Sequence, residues 1–361
     1  MTASRYFSAD YGEARARFLD ASRQAGALIE SHRCPTPGPE GEPLFTDVAW
    51  HGPKDAASVL VTISGTHGVE GFCGSGVQAG WLAGGLDRER PAEIALMQIH
   101  AMNPYGFAWL RRVTEDNVDL NRNFVDHAAP YPVNPGYEAL AEAICPPEWN
   151  DAVIAETMQI LLAYAETEGE WALREAITAG QYSHPDGIFF GGHQPTWSHR
   201  MLETIFADKL RHARQVAVID YHSGLGPRGH GERISVQDRG REALRQAESW
   251  YGDITSPAAG TSSSVEIIGF NVQGMERAVP HATLTAIVLE YGTQPAKEVQ
   301  LALRAENWLH LHGDPGTSKG RAIKRQLRDA FYQDQDDWKE MVFERAVDTQ
   351  RRALAGLSEA S

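Results

Sequence analysis

The apolar residues of this chain fall into short runs separated by polar segments with helical spacing. Residues 10–31 put Tyr11, Ala14, Phe18, Leu19, Ala25 and Leu28 on one face, which predicts an amphipathic helix. Pro35-Thr36-Pro37-Gly38-Pro39 predicts a loop, and residues 48–51 an edge strand. Val59-Leu60-Val61-Thr62-Ile63 is apolar on both faces, as a strand covered on both sides must be. Residues 76–83 predict a helix, and 93–99 a second strand that closes at Asn103-Pro104-Tyr105-Gly106. Residues 137–180 predict helix, with Met158-Gln159-Ile160-Leu161-Leu162 as its apolar stripe, and a glycine-rich loop follows at 182–192. Residues 216–219 and 286–289 predict two more short buried strands, and 318–356 a charged helical tail. Strands alternating with helices predict an α/β protein whose mixed, mostly parallel sheet is covered by helices on both faces. No repeat or linker divides the chain. The expectation is therefore one domain over residues 1–361, with a helical insertion at about 137–212 and the helical tail.

Composition narrows the class. In 361 residues, 42% hydrophobic content is enough for a sizeable core, and the formal net charge of -15 argues against nucleic acid as a partner. Cys34, Cys73 and Cys145 fit neither a disulfide framework nor a zinc knuckle, so reduced thiols are expected, with Cys73 a small packing residue near the site. The start, Met1-Thr2-Ala3-Ser4-Arg5-Tyr6-Phe7, lacks an apolar signal core, and no run approaches the roughly 20 apolar residues of a membrane span. A soluble cytoplasmic protein is expected.

The chemistry gathers where the apolar runs end. Ser64-Gly65-Thr66-His67-Gly68-Val69-Glu70-Gly71 follows the strand at 59–63 and sets an imidazole and a carboxylate side by side. Ile219-Asp220-Tyr221-His222-Ser223-Gly224 delivers His222 at the end of another strand, and Leu289-Glu290-Tyr291-Gly292 delivers Glu290. Sites in open α/β sheets collect beyond the carboxyl ends of strands, so these groups can converge. His67, Glu70 and His222 then make a His₂Glu set of the kind that holds catalytic zinc and leaves one position for water. Glu290 is left free as general base. Each residue alone has an ordinary explanation: a turn histidine, a buried histidine bonded to backbone, a glutamate at a strand end. Together they ask for a common one.

Arg111-Arg112-Val113-Thr114-Glu115-Asp116-Asn117-Val118-Asp119-Leu120-Asn121-Arg122-Asn123-Phe124 supplies the other polar groups. Arginine binds carboxylates bidentately, so an Asn-Arg pair suits a substrate carboxylate, and a second arginine can polarise a carbonyl. Asp119 can orient a metal-bound histidine from behind. Gly71-Phe72-Cys73-Gly74-Ser75-Gly76 does not fit the Gly-x-Ser-x-Gly elbow of serine hydrolases, and no Gly-x-x-x-x-Gly-Lys phosphate loop occurs.

His67-x-x-Glu70, Asp119-x-Asn121-Arg122-Asn123-Phe124, His222-Ser223 and Glu290, in this order, resemble the zinc carboxypeptidase superfamily, which includes succinylglutamate desuccinylase and aspartoacylase. Tyr6-Phe7-Ser8, Asn103-Pro104-Tyr105-Gly106 and His184-Pro185-Asp186-Gly187 resemble a bacterial branch known only as a domain of unknown function. The resemblance runs from residue 5 to about 350. It implies a mixed eight-stranded sheet between helices and one zinc per chain on His67, Glu70 and His222. It also implies Glu290 as base and later proton donor, and Asn121 with Arg122 on the substrate carboxylate. Arg112 is the choice for the carbonyl, with Arg111 its rival. Residues 265–275 contain no tyrosine, where classical carboxypeptidases carry a mobile one, which argues against exopeptidase action on long peptides. A roof over the site from the insertion, through Tyr182, His184 and Asp186, would favour N-acyl amino acids or dipeptides. The expected activity is hydrolysis of an amide beside a free carboxylate. The alternatives are a deacylase of the aspartoacylase kind and a binding module without catalysis.

Overall fold

The computed structural model describes residues 2–237 and 241–360. Its centre is one sheet of eight strands: β1 (Leu28–Arg33), β2 (Phe45–His51), β3 (Ser58–Ile63), β4 (Ile94–His100), β5 (Gln215–Arg228), β6 (Glu232–Ser235), β7 (Ile254–Thr255) and β8 (Thr283–Gly292). The spatial order is β1-β2-β4-β3-β5-β8-β6-β7. The middle strands β4, β3, β5 and β8 run parallel to one another, while β2 pairs antiparallel with β1 and β4, and β6 antiparallel with β8. The α/β class and the mixed eight-stranded sheet are thus as expected.

Around the sheet lie α1 (Tyr11–Gln24), α2 (Gly71–Ala83), α3 (Pro104–Ala108), α4 (Pro135–Ile144), α5 (Asp151–Glu168), α6 (Glu170–Thr178) and α7 (Trp197–Lys209). After β5 come α8 (Arg241–Tyr251), α9 (Asn271–Ala278), α10 (Ala296–His312), α11 (Ser318–Phe331) and α12 (Asp336–Glu359). One face of the sheet buries Leu60, Leu96, Ala217, Ile219 and Leu289 against α1, α2 and α12. The other buries Val59, Val61, Ile63, Val216 and Val218 with Leu202 and Phe206 of α7. Each such side chain contributes roughly 1.5–3 kcal/mol on burial, so the parallel centre is the most strongly held part of the molecule.

Three expectations are corrected. The helix at 10–31 ends at Gln24, because Gly26 takes the left-handed conformation (φ +76°) that stops a helix. Leu28, placed on the helix face, begins β1 instead and is exposed. Residues 48–51 form not an edge strand but part of β2, enclosed between β1 and β4. The stripe at 158–162 is only partly a core stripe, since Leu161 is buried while Ile160 and Leu162 are about half exposed. The helical segment expected at 318–356 is present as α11 and α12, and Trp338, Val342, Ala346 and Leu357 of α12 are fully buried in the main core.

Candidate metal centre

The site forms where β3, β5 and β8 run side by side. The chain leaves β3 through Ser64-Gly65-Thr66 and makes a short 3₁₀ turn, Gly68–Glu70, before α2. Gly68 and Val69 donate backbone N–H bonds to the carbonyls of Arg112 (3.1 Å) and Arg111 (2.8 Å). A side chain at residue 68 would put its Cβ 2.0 Å from the backbone carbon of Gly106, so only glycine lets the turn press this close. The turn aims His67 and Glu70 at β5, where His222 stands in register with Glu290 of the neighbouring strand. Both residues lie within their strands, which run on to Arg228 and Gly292.

Glu70 holds the two histidines together. Its carboxylate oxygens lie 3.1 Å from His67 Nδ1 and 3.0 Å from His222 Nδ1, and the Ser223 N–H donates to it over 3.1 Å. One donor atom from each of His67, Glu70 and His222 lies within 4.8 Å of the others, and all three residues are buried. Donors ~2 Å from a shared ion stand about 3–3.5 Å apart, so the spacing fits a metal. The far nitrogens fit as well. His67 Nε2 is 3.1 Å from Asp119 Oδ1, and His222 Nε2 is 3.0 Å from Asp220 Oδ2, a charge contact rather than an aligned hydrogen bond. A carboxylate behind each imidazole leaves both Nδ1 atoms facing the centre, the arrangement that fixes a metal-binding tautomer. Asp220 is itself held by Thr66 Oγ1 (2.9 Å) and Asn271 Nδ2 (2.7 Å).

The electrostatics are those of a negative hole. Burial opposes the charge on Glu70, but His67 and His222 outweigh it and hold the carboxyl below its usual range. Asp119 is also well below its range, since Arg112, Arg122 and His67 overcome its burial. Burial works against a charged His222, yet Asp220 and Glu70 raise it well above the usual imidazole value. Glu290 goes the other way: burial first, then the Glu70 carboxylate, push it up to about 8. It accepts a hydrogen bond from the Leu225 N–H over 2.9 Å.

A cavity of about 340 Å³ opens from this cluster, and His67, Glu70, His222, Glu290, Arg112, Asn121 and Arg122 all line it. Arg112 Nη1 donates to Glu70 (2.8 Å) and its Nε to Asp119 (2.9 Å). Asn121 Nδ2 and Arg122 Nε are buried with no hydrogen-bond partner. Arg111 and Tyr182 do not reach the cavity. Arg111 is bound to Glu306 (2.9 Å) and Asn117 (2.9 Å), and the Tyr182 hydroxyl donates to the backbone carbonyl of Arg122 (2.6 Å). His184 pairs with Glu138, so the roof comes not from Tyr182, His184 and Asp186 but from α5, α6 and Phe189. Where the expected tyrosine is missing, Phe270 faces the cavity. Cys73 packs in the main core, with burial raising its thiol well above the usual range. Asp220 had no assigned role in the sequence, although two-residue alternation puts it on the same strand face as His222.

Fold and site together define a carboxypeptidase-like α/β protein with a buried His-Glu-His cluster suited to a metal. The structure is similar to carboxypeptidase A from Helicoverpa armigera, at 13% identity and a TM-score of 0.55, over 98% of this chain and 74% of that one. It is also similar to bovine thrombin-activatable fibrinolysis inhibitor, in its complex with tick carboxypeptidase inhibitor, at 11% identity and a TM-score of 0.50 over 99% of both chains. No curated protein matches the sequence. The chain belongs to the family described as "Protein of unknown function (DUF2817)", which matches residues 7–345. Among the described residues no helix is long and apolar enough to cross a membrane.

Proposed function

We propose that this protein is a zinc-dependent hydrolase of an amide bond that lies beside a free carboxylate. The observation that carries the reading is the convergence of His67, Glu70 and His222, each imidazole backed by a carboxylate, with Glu290 across the strand pair from His222. Bound by those three residues, a zinc ion supplies the Lewis acidity that makes water nucleophilic at neutral pH and polarises a carbonyl.

The chain's own groups do the rest. Glu290 takes a proton from the attacking water and returns it to the amine nitrogen as the C–N bond breaks. The products are a carboxylic acid and a free amine. Arg112 is assigned the substrate carbonyl, because it lines the cavity while Arg111 is committed to Glu306. Asn121 and Arg122 are assigned the substrate carboxylate, and their unpartnered buried donors support this. The substrates are N-acyl amino acids or dipeptides, and the α5–α6 roof favours the N-acyl amino acids of a deacylase over long peptides.

The test is metal analysis with a hydrolysis screen on the zinc-loaded protein. About one zinc per chain, lost in His222→Ala, together with release of amino acid from N-acyl substrates, is the expected result. Protein that takes up no zinc, or a Glu290→Gln variant with wild-type turnover, would sink the assignment.

A further inference from the structure

The cavity has two apolar walls that belong to different parts of the core. One comes from the sheet and the segment before α9: Ile234, Val288, Ile267 and Phe270. The other comes from α5, α6, α10 and α11: Leu161, Leu173, Val299, Leu303 and Phe331, with Met158 and Leu162 at its rim. Asn121 is tied to the first wall, since its Oδ1 accepts the N–H of Asn271, next to Phe270, over 3.3 Å. The second wall starts behind the catalytic strand. Ser223 Oγ donates to the Phe331 carbonyl (2.6 Å), and two residues on, Leu225 holds Glu290.

From this layout, and resting on the amide-hydrolase reading above, we infer that the second wall receives an apolar group on the carbonyl side of the scissile amide, an alkanoyl chain or an apolar residue. With its carboxylate at Asn121 and Arg122, the amino-acid half lies along the first wall. The carbonyl half then points to α5 and α10. The buried cations of the cavity, Arg112 and Arg122, stand at the inner end of that wall, both over the Phe189 ring, and Arg122 Nη2 donates to the Thr178 carbonyl of α6. Beyond them, the cations among the described residues lining the cavity are Arg174 and Lys297, exposed at the rim. An acidic acyl group that reaches past Arg112 and Arg122 would therefore lie unpaired against leucine and valine, which is unfavourable. An alkyl chain would gain from each methylene buried. A methylene takes roughly the volume of a water, ~30 Å³. A cavity of about 340 Å³ thus has room for about eleven such groups, which leaves about five acyl carbons beside the atoms of a glycine. Leu162, half exposed at the rim, leaves the far end open to longer chains.

The test is a series of N-acyl derivatives of one amino acid, from acetyl through octanoyl to dodecanoyl, with N-succinyl included. A parallel series of dipeptides carries Gly, Leu or Phe on the carbonyl side. The expected result is a rise in kcat/KM of about fourfold per methylene up to about five carbons, then a plateau. The slope should flatten in Met158→Glu and Leu162→Glu, rim changes that spare the buried core. Whichever series rises identifies the source of the apolar group, and if both are flat, or N-succinyl is best, the inference is overturned. If no amide is cleaved, the hydrolase reading fails and the pocket is judged by calorimetry. Tighter binding of N-octanoyl than N-acetyl amino acid to metal-free protein, lost in Met158→Glu, supports it. Equal binding, or none, overturns it.

Discussion

The floor and the roof of the cavity are built on opposite principles. The floor, where β3, β5 and β8 run side by side, buries Glu70, Asp119, Asp220, Glu290, His67 and His222, and nearly every polar atom answers another. The roof, α5 and α6, is apolar inside, and its outer face leaves Ile160 and Trp171 about half exposed. In the floor, removing one group leaves its partner charged and buried, which is costly. In the roof, removing a side chain costs only the contacts that it made. Changes to the floor should therefore alter chemistry and metal binding, whereas changes to the roof should alter stability or substrate preference.

The largest difference should come from Glu290→Gln. The amide keeps the shape but cannot take a proton, so turnover should fall by about 10²–10⁴-fold while zinc content is unchanged. Steady-state rates and metal analysis on the same sample check both halves. A parallel loss of zinc would make Glu290 part of the metal site instead.

Next comes the pH dependence of the metal-free protein. Glu290 sits at about 8 in the fold, well above an unfolded glutamate, so the fold holds this proton more tightly than the unfolded chain does. The stability it contributes is complete below about pH 4.3 and is lost as pH rises to about 8. His222, also raised, acts in the same direction above about pH 6.5. Glu70 and Asp119, which are depressed, contribute stability above about pH 4 and lose it only in acid, outside this window. The Tm of chelator-treated protein should thus fall between pH 5.5 and 8.5, and fall less in Glu290→Gln. Zinc should reverse the trend, because its ligands must shed protons. A chelated wild-type protein whose Tm is flat across this range would contradict the electrostatic picture.

Smaller again is the effect of the carboxylates behind the histidines. Asp119→Asn and Asp220→Asn keep the size but weaken the hold on each Nε2, and should cost about 10–100-fold in zinc affinity. Competition with a chromogenic chelator measures this. Asp119→Asn should be the more damaging, because Asp119 also takes the Nε–H of Arg112 and the N–H of Asn121.

The same contrast explains what the sequence discloses. The floor is legible because chemistry fixes residue types at fixed spacings: His67-x-x-Glu70, the Asp119–Asn123 segment, and a polar residue closing each of two apolar runs. The parallel strands at its base are legible because strands buried on both faces must be continuously apolar. β1, β6 and β7 are not. β1 is a mostly exposed edge strand of sequence Leu-Ile-Glu-Ser-His-Arg, β6 carries buried Glu232 and Arg233 paired with distant groups, and β7 has two residues. The cavity wall is hidden for a different reason. Apolar residues on a helix do not say whether they face a core or a cavity, so the assignment of a lining role to Tyr182 instead of to Met158 and Leu161 follows from polar residues being easier to read.

That ambiguity can be resolved residue by residue along 158–162, which the sequence presents as one stripe. Leu161 is 1% exposed and packs with Tyr137, Ile177 and Phe331, so Leu161→Ala should cost about 2–5 kcal/mol. Ile160 is 46% exposed and does not line the cavity, so Ile160→Ala should stay within about 0.5 kcal/mol of wild type. Urea unfolding of the two variants measures the gap. Equal, small losses would mean that Leu161 of α5 is not packed into this cluster, and the wall facing Glu290 would lose its support. A large loss at Ile160 would mean that its exposed face is covered in solution, most simply by a second copy of the chain. A wide gap between the two variants would separate the residues that close the cavity from those that merely complete a helix.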